Sequence, residues 1–108
     1  MKKLGLIGGT GPESTIIYYR ALTQGVLERT GALPRLVIES LSVYEVLDFC
    51  RKGDLEGLTA YLVHGVQNLT AAGADCAAFT GITPHIVFDR VQAQSPIPII
   101  GIPETKAW

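Results

Sequence analysis

The apolar run Leu4-Gly5-Leu6-Ile7 stops on a glycine cluster, Gly8-Gly9-Thr10-Gly11, and Pro12 follows at once. A short apolar run of this kind is the pattern of a strand buried on both faces. Proline is favoured at the first position of a helix, because its missing N–H would find no partner there anyway. From Glu13 to about Arg29, the residues Ile16, Ile17, Tyr19, Leu22, Val26 and Leu27 keep helical spacing. Strand, glycine loop and helix in that order commit the start of the chain to an α/β arrangement, since such a strand needs cover on both faces.

The rest of the chain repeats the alternation. Thr30-Gly31-Ala32-Leu33-Pro34 breaks the helix, and Arg35 to Glu39 reads as a second strand. Ser40 to Leu47 reads as a strand end, a loop or a helix start, and Arg51-Lys52-Gly53-Asp54 as a surface turn. Leu55 to Ala72 is a second long helix with Leu58, Tyr61, Leu62, Val66 and Leu69 on one side, and Gly73 is placed to end it. Asp75 to Phe79 is a third strand, Thr80 to His85 a loop, and Ile86 to Gln94 a helix. Ser95-Pro96-Ile97-Pro98 then leads into a fourth strand within Ile97 to Ile102. The expected fold class is α/β, a four-stranded parallel sheet with flanking helices joined by right-handed crossovers.

Composition narrows the function classes. A net charge of -1 gives no basic footprint for nucleic acid or an anionic membrane. No stretch is long enough to span a bilayer, and the apolar run after Met1-Lys2-Lys3 is too short for a signal peptide, so a cytoplasmic protein is expected. Cys50 and Cys76 form neither a disulfide framework nor a metal-ligand spacing, and no metal site is expected. The 108 residues make one domain. A strand this close to the last residue leaves little to cover the sheet, which suggests one lobe of something larger. Apolar surface left open in this way leads to the expectation of a homo-oligomer or of a second lobe that covers it.

In an open parallel sheet, ligands sit outside the carboxyl ends of the strands. Three loops of this chain lie there: Gly8 to Ser14, Ser40 to Tyr44, and Thr80 to His85. The first brings the backbone N–H groups of Gly9, Thr10 and Gly11 to a helix N-terminus, where a carboxylate or phosphate is favoured, and Thr10, Ser14 and Thr15 add hydroxyls. A tight turn without a ligand is the plain alternative. Gly9-Thr10-Gly11-Pro12-Glu13-Ser14 is a poor dinucleotide fingerprint: it lacks the third glycine, Pro12 removes a donor, and Glu39 lies beyond the usual ~20 residues. A Walker A loop is excluded, because no Gly-Lys-Ser/Thr follows.

The second loop contributes Ser42 as a candidate binding residue. The third contributes the hydroxyls of Thr80 and Thr83, with His85 either a general acid or base or a helix cap. Tyr18, Tyr19, Arg20 and Tyr44 are near enough to line the site, although only one of Tyr18 and Tyr19 can face the sheet. His64 reads as a helix surface residue, Cys76 as a small hydrophobe in a strand, and Cys50 as structural near a helix end. Neither cysteine has an adjacent base, so neither looks like an activated nucleophile.

Together the first and third loops carry a resemblance. Leu4-Gly5-Leu6-Ile7-Gly8-Gly9-Thr10-Gly11-Pro12-Glu13-Ser14-Thr15, followed by Tyr18-Tyr19-Arg20, resembles the start of the aspartate/glutamate racemases. Gly73-Ala74-Asp75, an apolar strand and Thr83-Pro84-His85 resemble that family's second motif, and Ile97-Pro98-Ile99-Ile100 fits the end of its first lobe. The resemblance implies a two-lobed α/β fold of which residues 1–108 are the N-terminal lobe. It also implies cofactor-independent chemistry on a small dicarboxylate such as aspartate or glutamate. One group removes the α-proton and another returns it to the opposite face, which requires two groups on opposing sides.

Carried onto this chain, the resemblance places substrate binding on Gly9, Thr10, Gly11, Ser42, Gly81, Ile82, Thr83 and His85. The family's first acid/base cysteine, a threonine in some members, falls on Gly81 here, and the asparagine after it on Ile82. Glycine has no side chain to move a proton. Thr80 and Thr83 are the remaining candidates for that catalytic role, and a threonine hydroxyl is a poor base unless activated. Two readings follow: a racemase-family protein that binds a dicarboxylic amino acid, or a non-catalytic domain that binds a small carboxylate.

Overall fold

The computed structural model describes residues 3–8, 12–80 and 85–100. Its elements run β1 (Lys3–Gly8), α1 (Pro12–Thr30), β2 (Arg35–Ser40), α2 (Val43–Lys52), α3 (Leu55–Ala71), β3 (Cys76–Phe79), α4 (His85–Gln94) and β4 (Ile99–Ile100). The four strands form one sheet in the order β2-β1-β3-β4, every pair parallel. The α/β reading and its strand count are therefore correct.

One helix was not resolved by the sequence pattern. Ser40 to Leu47, read as a strand end, a loop or a helix start, contains the start of the ten-residue α2, and Arg51 and Lys52, read as part of a surface turn, form its last turn. Ser42 caps its start, accepting a hydrogen bond from the Glu45 N–H. Gly53 ends it with a left-handed φ of 69°, and Asp54 then caps α3 by accepting from the Gly57 N–H at 2.8 Å. At the far end of α3, Gly73 sits at φ 93°, a conformation that L side chains rarely adopt, so the expected glycine stop is present.

The two faces of the sheet are covered differently. Side chains alternate across a strand. Ile7 lies against Gly65 of α3, whereas a Cβ added at the next residue, Gly8, would meet Thr15 of α1 at 2.8 Å. Thus α3 and α1 lie on opposite faces. The α3 face holds the core: Ile7, Ala77, Phe79 and Ile99 from the strands pack with Leu58, Leu62, Val66 and Leu69 of α3 and Val87 and Val91 of α4. On the α1 face, Leu6 and its in-register neighbour Ala78 are buried, but the outer strands leave Ile38 and Ile100 partly exposed.

Helix α1 does not turn its apolar residues inward as a single stripe. Ile16, Ile17, Tyr19 and Leu27 are exposed at 53%, 66%, 48% and 46%, while Thr15, Tyr18, Leu22, Thr23, Gly25 and Val26 are half-buried. Apolar residues spread around a helix suit more than one packing partner, and the sheet satisfies only one side.

Candidate functional site

The strand order fixes where a site can form. The connection from β1 runs to β2 on one side, and the connection from β2 passes back to β3 on the other, so the direction reverses between β1 and β3. Open α/β sheets bind ligands in the crevice outside the carboxyl ends of strands at such a switch point. The segments that leave β1 and β3 are the glycine loop and the Thr80–Pro84 segment.

The floor of that crevice is well tied. The Ile7 carbonyl accepts from the Thr80 N–H at 3.1 Å, and the Gly8 carbonyl accepts from the Leu41 N–H at 2.8 Å. The exit of β1 is thereby held by the exits of both neighbours. Thr80 is buried at 3% exposure, and its hydroxyl lies 3.2 Å from the Ile7 carbonyl and 2.9 Å from the Thr15 hydroxyl. Gly8 leaves the room this needs, because any Cβ there would press on Thr15 Cγ2 and Oγ1.

The expected site residues fall into two groups. Gly9, Thr10, Gly11, Gly81, Ile82 and Thr83 lie outside the described residues. Thr80 directly follows β3 beside the crevice, Ser42 stands at the start of α2, and His85 is the first residue of α4, where the sequence pattern had placed the last loop residue. Ser42 is committed twice over: its N–H donates to the Tyr61 hydroxyl at 2.9 Å, and its own hydroxyl caps α2. Burial pushes the Tyr61 phenol upward despite the Ser42 N–H, which favours its ionised form.

Of the two adjacent tyrosines, Tyr18 is the one turned in; its hydroxyl is out of contact with water, and burial raises its pKa. Tyr19 and Tyr44 are exposed, the latter at 82%. Glu39, the acidic residue a dinucleotide site would need, faces α3 instead and accepts from Asn68 at 2.6 Å. His64 is exposed on α3, as read from the sequence. Cys76 is half-buried in β3, while Cys50, read as structural, is exposed at the end of α2; both are unpaired. Among the described residues no group of three His, Cys, Asp or Glu side chains could hold a metal ion, and no helix is long and apolar enough to cross a membrane.

Sequence reasoning named Thr15 only as one hydroxyl among several. Its pairing with Thr80, 65 residues away, needs the β1–β3 adjacency to be seen.

Comparison with known proteins identifies the family. Residues 7–107 match the family model for Asp/Glu/hydantoin racemases. The chain belongs to that family. A crystal structure from Yersinia pestis, described as a candidate Asp/Glu racemase, is 34% identical and superposes with a TM-score of 0.86, covering 92% of this chain and 44% of that one. An aspartate racemase homologue from Pyrococcus horikoshii OT3 is 38% identical with a TM-score of 0.81, covering 93% and 44%. This racemase-family chain thus spans less than half the length of either relative.

Proposed function

We propose that the β1–β3 crevice of this racemase-family domain binds a small dicarboxylic amino acid such as aspartate or glutamate. The observation that carries the reading is the switch point. It brings the carboxyl ends of β1 and β3 together, with the Thr15 hydroxyl in the first turn of α1 2.9 Å from that of Thr80. Helix N-terminal N–H groups and the helix dipole favour a carboxylate there. Gly9, Thr10 and Gly11 would supply backbone donors to one carboxylate, and Gly81, Ile82, Thr83 and His85 would approach from the other loop, with Ser42 at the margin. No cofactor is required for this binding, and the free cysteines suit a cytoplasmic setting.

The catalytic part of the proposal is narrower. Racemisation by two bases needs one group to take the α-proton and a second to return it on the opposite face. Gly81 stands where the first such group is expected, so residues 1–108, read as the N-terminal lobe, bind without racemising. The non-catalytic carboxylate-binding reading is favoured by that same glycine. Thr80 or Thr83 would have to act in its place for the racemase reading to hold in full.

Two measurements separate these outcomes. Succinate or aspartate should raise the melting temperature, with a stabilisation of about 2.7 kcal/mol at roughly 100 times Kd. No shift with any dicarboxylate would remove the binding claim. Incubation with L-aspartate in D₂O should leave the α-proton in place; deuterium at Cα above background would restore the racemase reading. The exposed Ile16, Ile17, Tyr19 and Leu27 of α1 also lead us to propose that two copies associate through this helix.

A further inference from the structure

We infer that the outer edge of β2 pairs with the same edge of a second copy, antiparallel about a two-fold axis at Val37, so that Arg35 of each copy meets Glu39 of the other. Such a pairing needs no ligand, and it adds a strand contact to the association proposed for α1. β2 ends the sheet order and, among the described residues, pairs with β1 alone. The Leu41 N–H donates to the Gly8 carbonyl of β1. Backbone groups alternate in direction along a strand, so the N–H and C=O of Val37 and Glu39 are directed to β1 as well. Those of Leu36, Ile38 and Ser40 are directed outward.

Proteins commonly deter pairing at an open edge with a bulge, a proline or charge. The register of β2 with β1 is unbroken over all six residues, and the proline, Pro34, stands just outside them. The charges at this edge are of opposite sign and share one face of the strand with Val37, the face from which Glu39 accepts from Asn68 of α3. Two antiparallel registers overlap most of β2 and bring outward groups together. With Ile38 on the axis, Glu39 lies opposite Val37 and no charges match. With Val37 on the axis, Leu36 and Ile38 of opposite copies exchange backbone bonds, and Arg35 lies opposite Glu39 twice by symmetry. Arg35 is exposed and joins no ion pair among the described residues. Asn68 donates to Oε2 of Glu39 at 2.6 Å, which leaves Oε1 for the guanidinium of the second copy. On the α1 face the same register sets Leu36 against Ile38, which is 39% exposed in the single chain.

Sedimentation equilibrium of charge variants tests the edge. Arg35→Glu sets like charges opposite each other twice per dimer and should weaken association about tenfold or more. Glu39→Arg should do the same. The double variant Arg35→Glu/Glu39→Arg swaps the pair and should return association to within about threefold of wild type. Cross-linking reads the register independently. On the axis, the two Val37 Cα atoms would lie about 4.5 Å apart, within the roughly 4.4–6.8 Å that a disulfide spans. In a Cys50→Ser/Cys76→Ala background, Val37→Cys should therefore form a disulfide-linked dimer on air oxidation, whereas Leu36→Cys and Ile38→Cys should not.

Association of Arg35→Glu equal to that of wild type would overturn the pairing. So would a double variant no better associated than either single one, or cross-linking at Ile38→Cys as efficient as at Val37→Cys. Dissociation by Ile17→Glu/Leu27→Glu, with no effect of charge at 35 and 39, would remove the strand contact and keep the helix one. A wild-type chain that is monomeric at every concentration would remove both. Succinate or aspartate binding is measured separately, and its failure would leave the edge pairing as these experiments find it.

Discussion

The two faces of this sheet are built by different means. On the α3 face, long apolar side chains interlock, and Val66, Val87 and Val91 have no exposed surface at all. On the α1 face, the buried side chains are Leu6 and the small Ala78 of the strands and Thr80 just past the end of β3. The helix above them leaves four large apolar side chains in water. Apolar burial, which is non-directional, anchors the first face. A directional contact between two hydroxyls aligns the second beside the crevice. Stability and site geometry are thus placed on opposite sides of one sheet.

The largest test of that division is a pair of truncations. Leu69→Ala on the α3 face should cost about 2–5 kcal/mol in denaturant unfolding, as deep cavities do. Ile17→Ala on α1 should change stability by less than about 0.5 kcal/mol. Comparable losses at both sites would break the comparison.

Next in size, Gly8→Ala should cost about 1–3 kcal/mol, because the new methyl must displace Thr15. It should also reduce succinate binding by more than its effect on stability explains. A variant as stable and as tightly binding as wild type would show that the two faces do not meet at Gly8.

A smaller effect on folding, but a clear one on assembly, is expected from charge on the open helix. Ile17→Glu/Leu27→Glu should leave the unfolding midpoint nearly unchanged while shifting sedimentation velocity from an associated species to a monomer. A wild-type chain that sediments as a monomer at every concentration would remove the self-association claim.

The smallest effect lies on neither face. On α2, Arg51 and Lys52 both pair with Asp48, the latter at 2.9 Å. Hydrogen bonds from Lys52 and Arg51 hold the Asp48 carboxyl below its ordinary range. Because the folded-state pKa is depressed, this stabilisation is present above the ordinary carboxylate range and is lost as pH falls through the lowered value. Asp48→Asn should therefore lower the melting temperature slightly at neutral pH, with the difference vanishing in strong acid and shrinking in high salt. A difference that persists in acid would point to packing instead.

Much of this architecture was legible in the sequence, and the exceptions have physical causes. The strands β1, β2 and β3 and the helices α1 and α3 declare themselves through apolar runs, helical spacing and the stop at Gly73. Helix α2 was obscured because Val43, Tyr44, Val46 and Phe49 favour strands as readily as helices. The Ser42-Val43-Tyr44-Glu45 spacing, that of a capping box, was the overlooked signal. On α1, periodicity marked apolar residues without telling which would meet the sheet, and Ile16, Ile17, Tyr19 and Leu27 turned outward. At the site, the loops could be named from sequence, but the Thr15–Thr80 contact depends on which strands are neighbours.

The central claim is that the crevice between the ends of β1 and β3 takes a small dicarboxylate. A titration of the ¹⁵N-labelled chain with aspartate, followed by amide chemical shifts, tests it most directly. Saturable shifts concentrated in residues 8–15 and 80–86 are expected, with the surface of α2 unchanged. No shift at high aspartate, or shifts confined to Tyr44–Arg51, would contradict it.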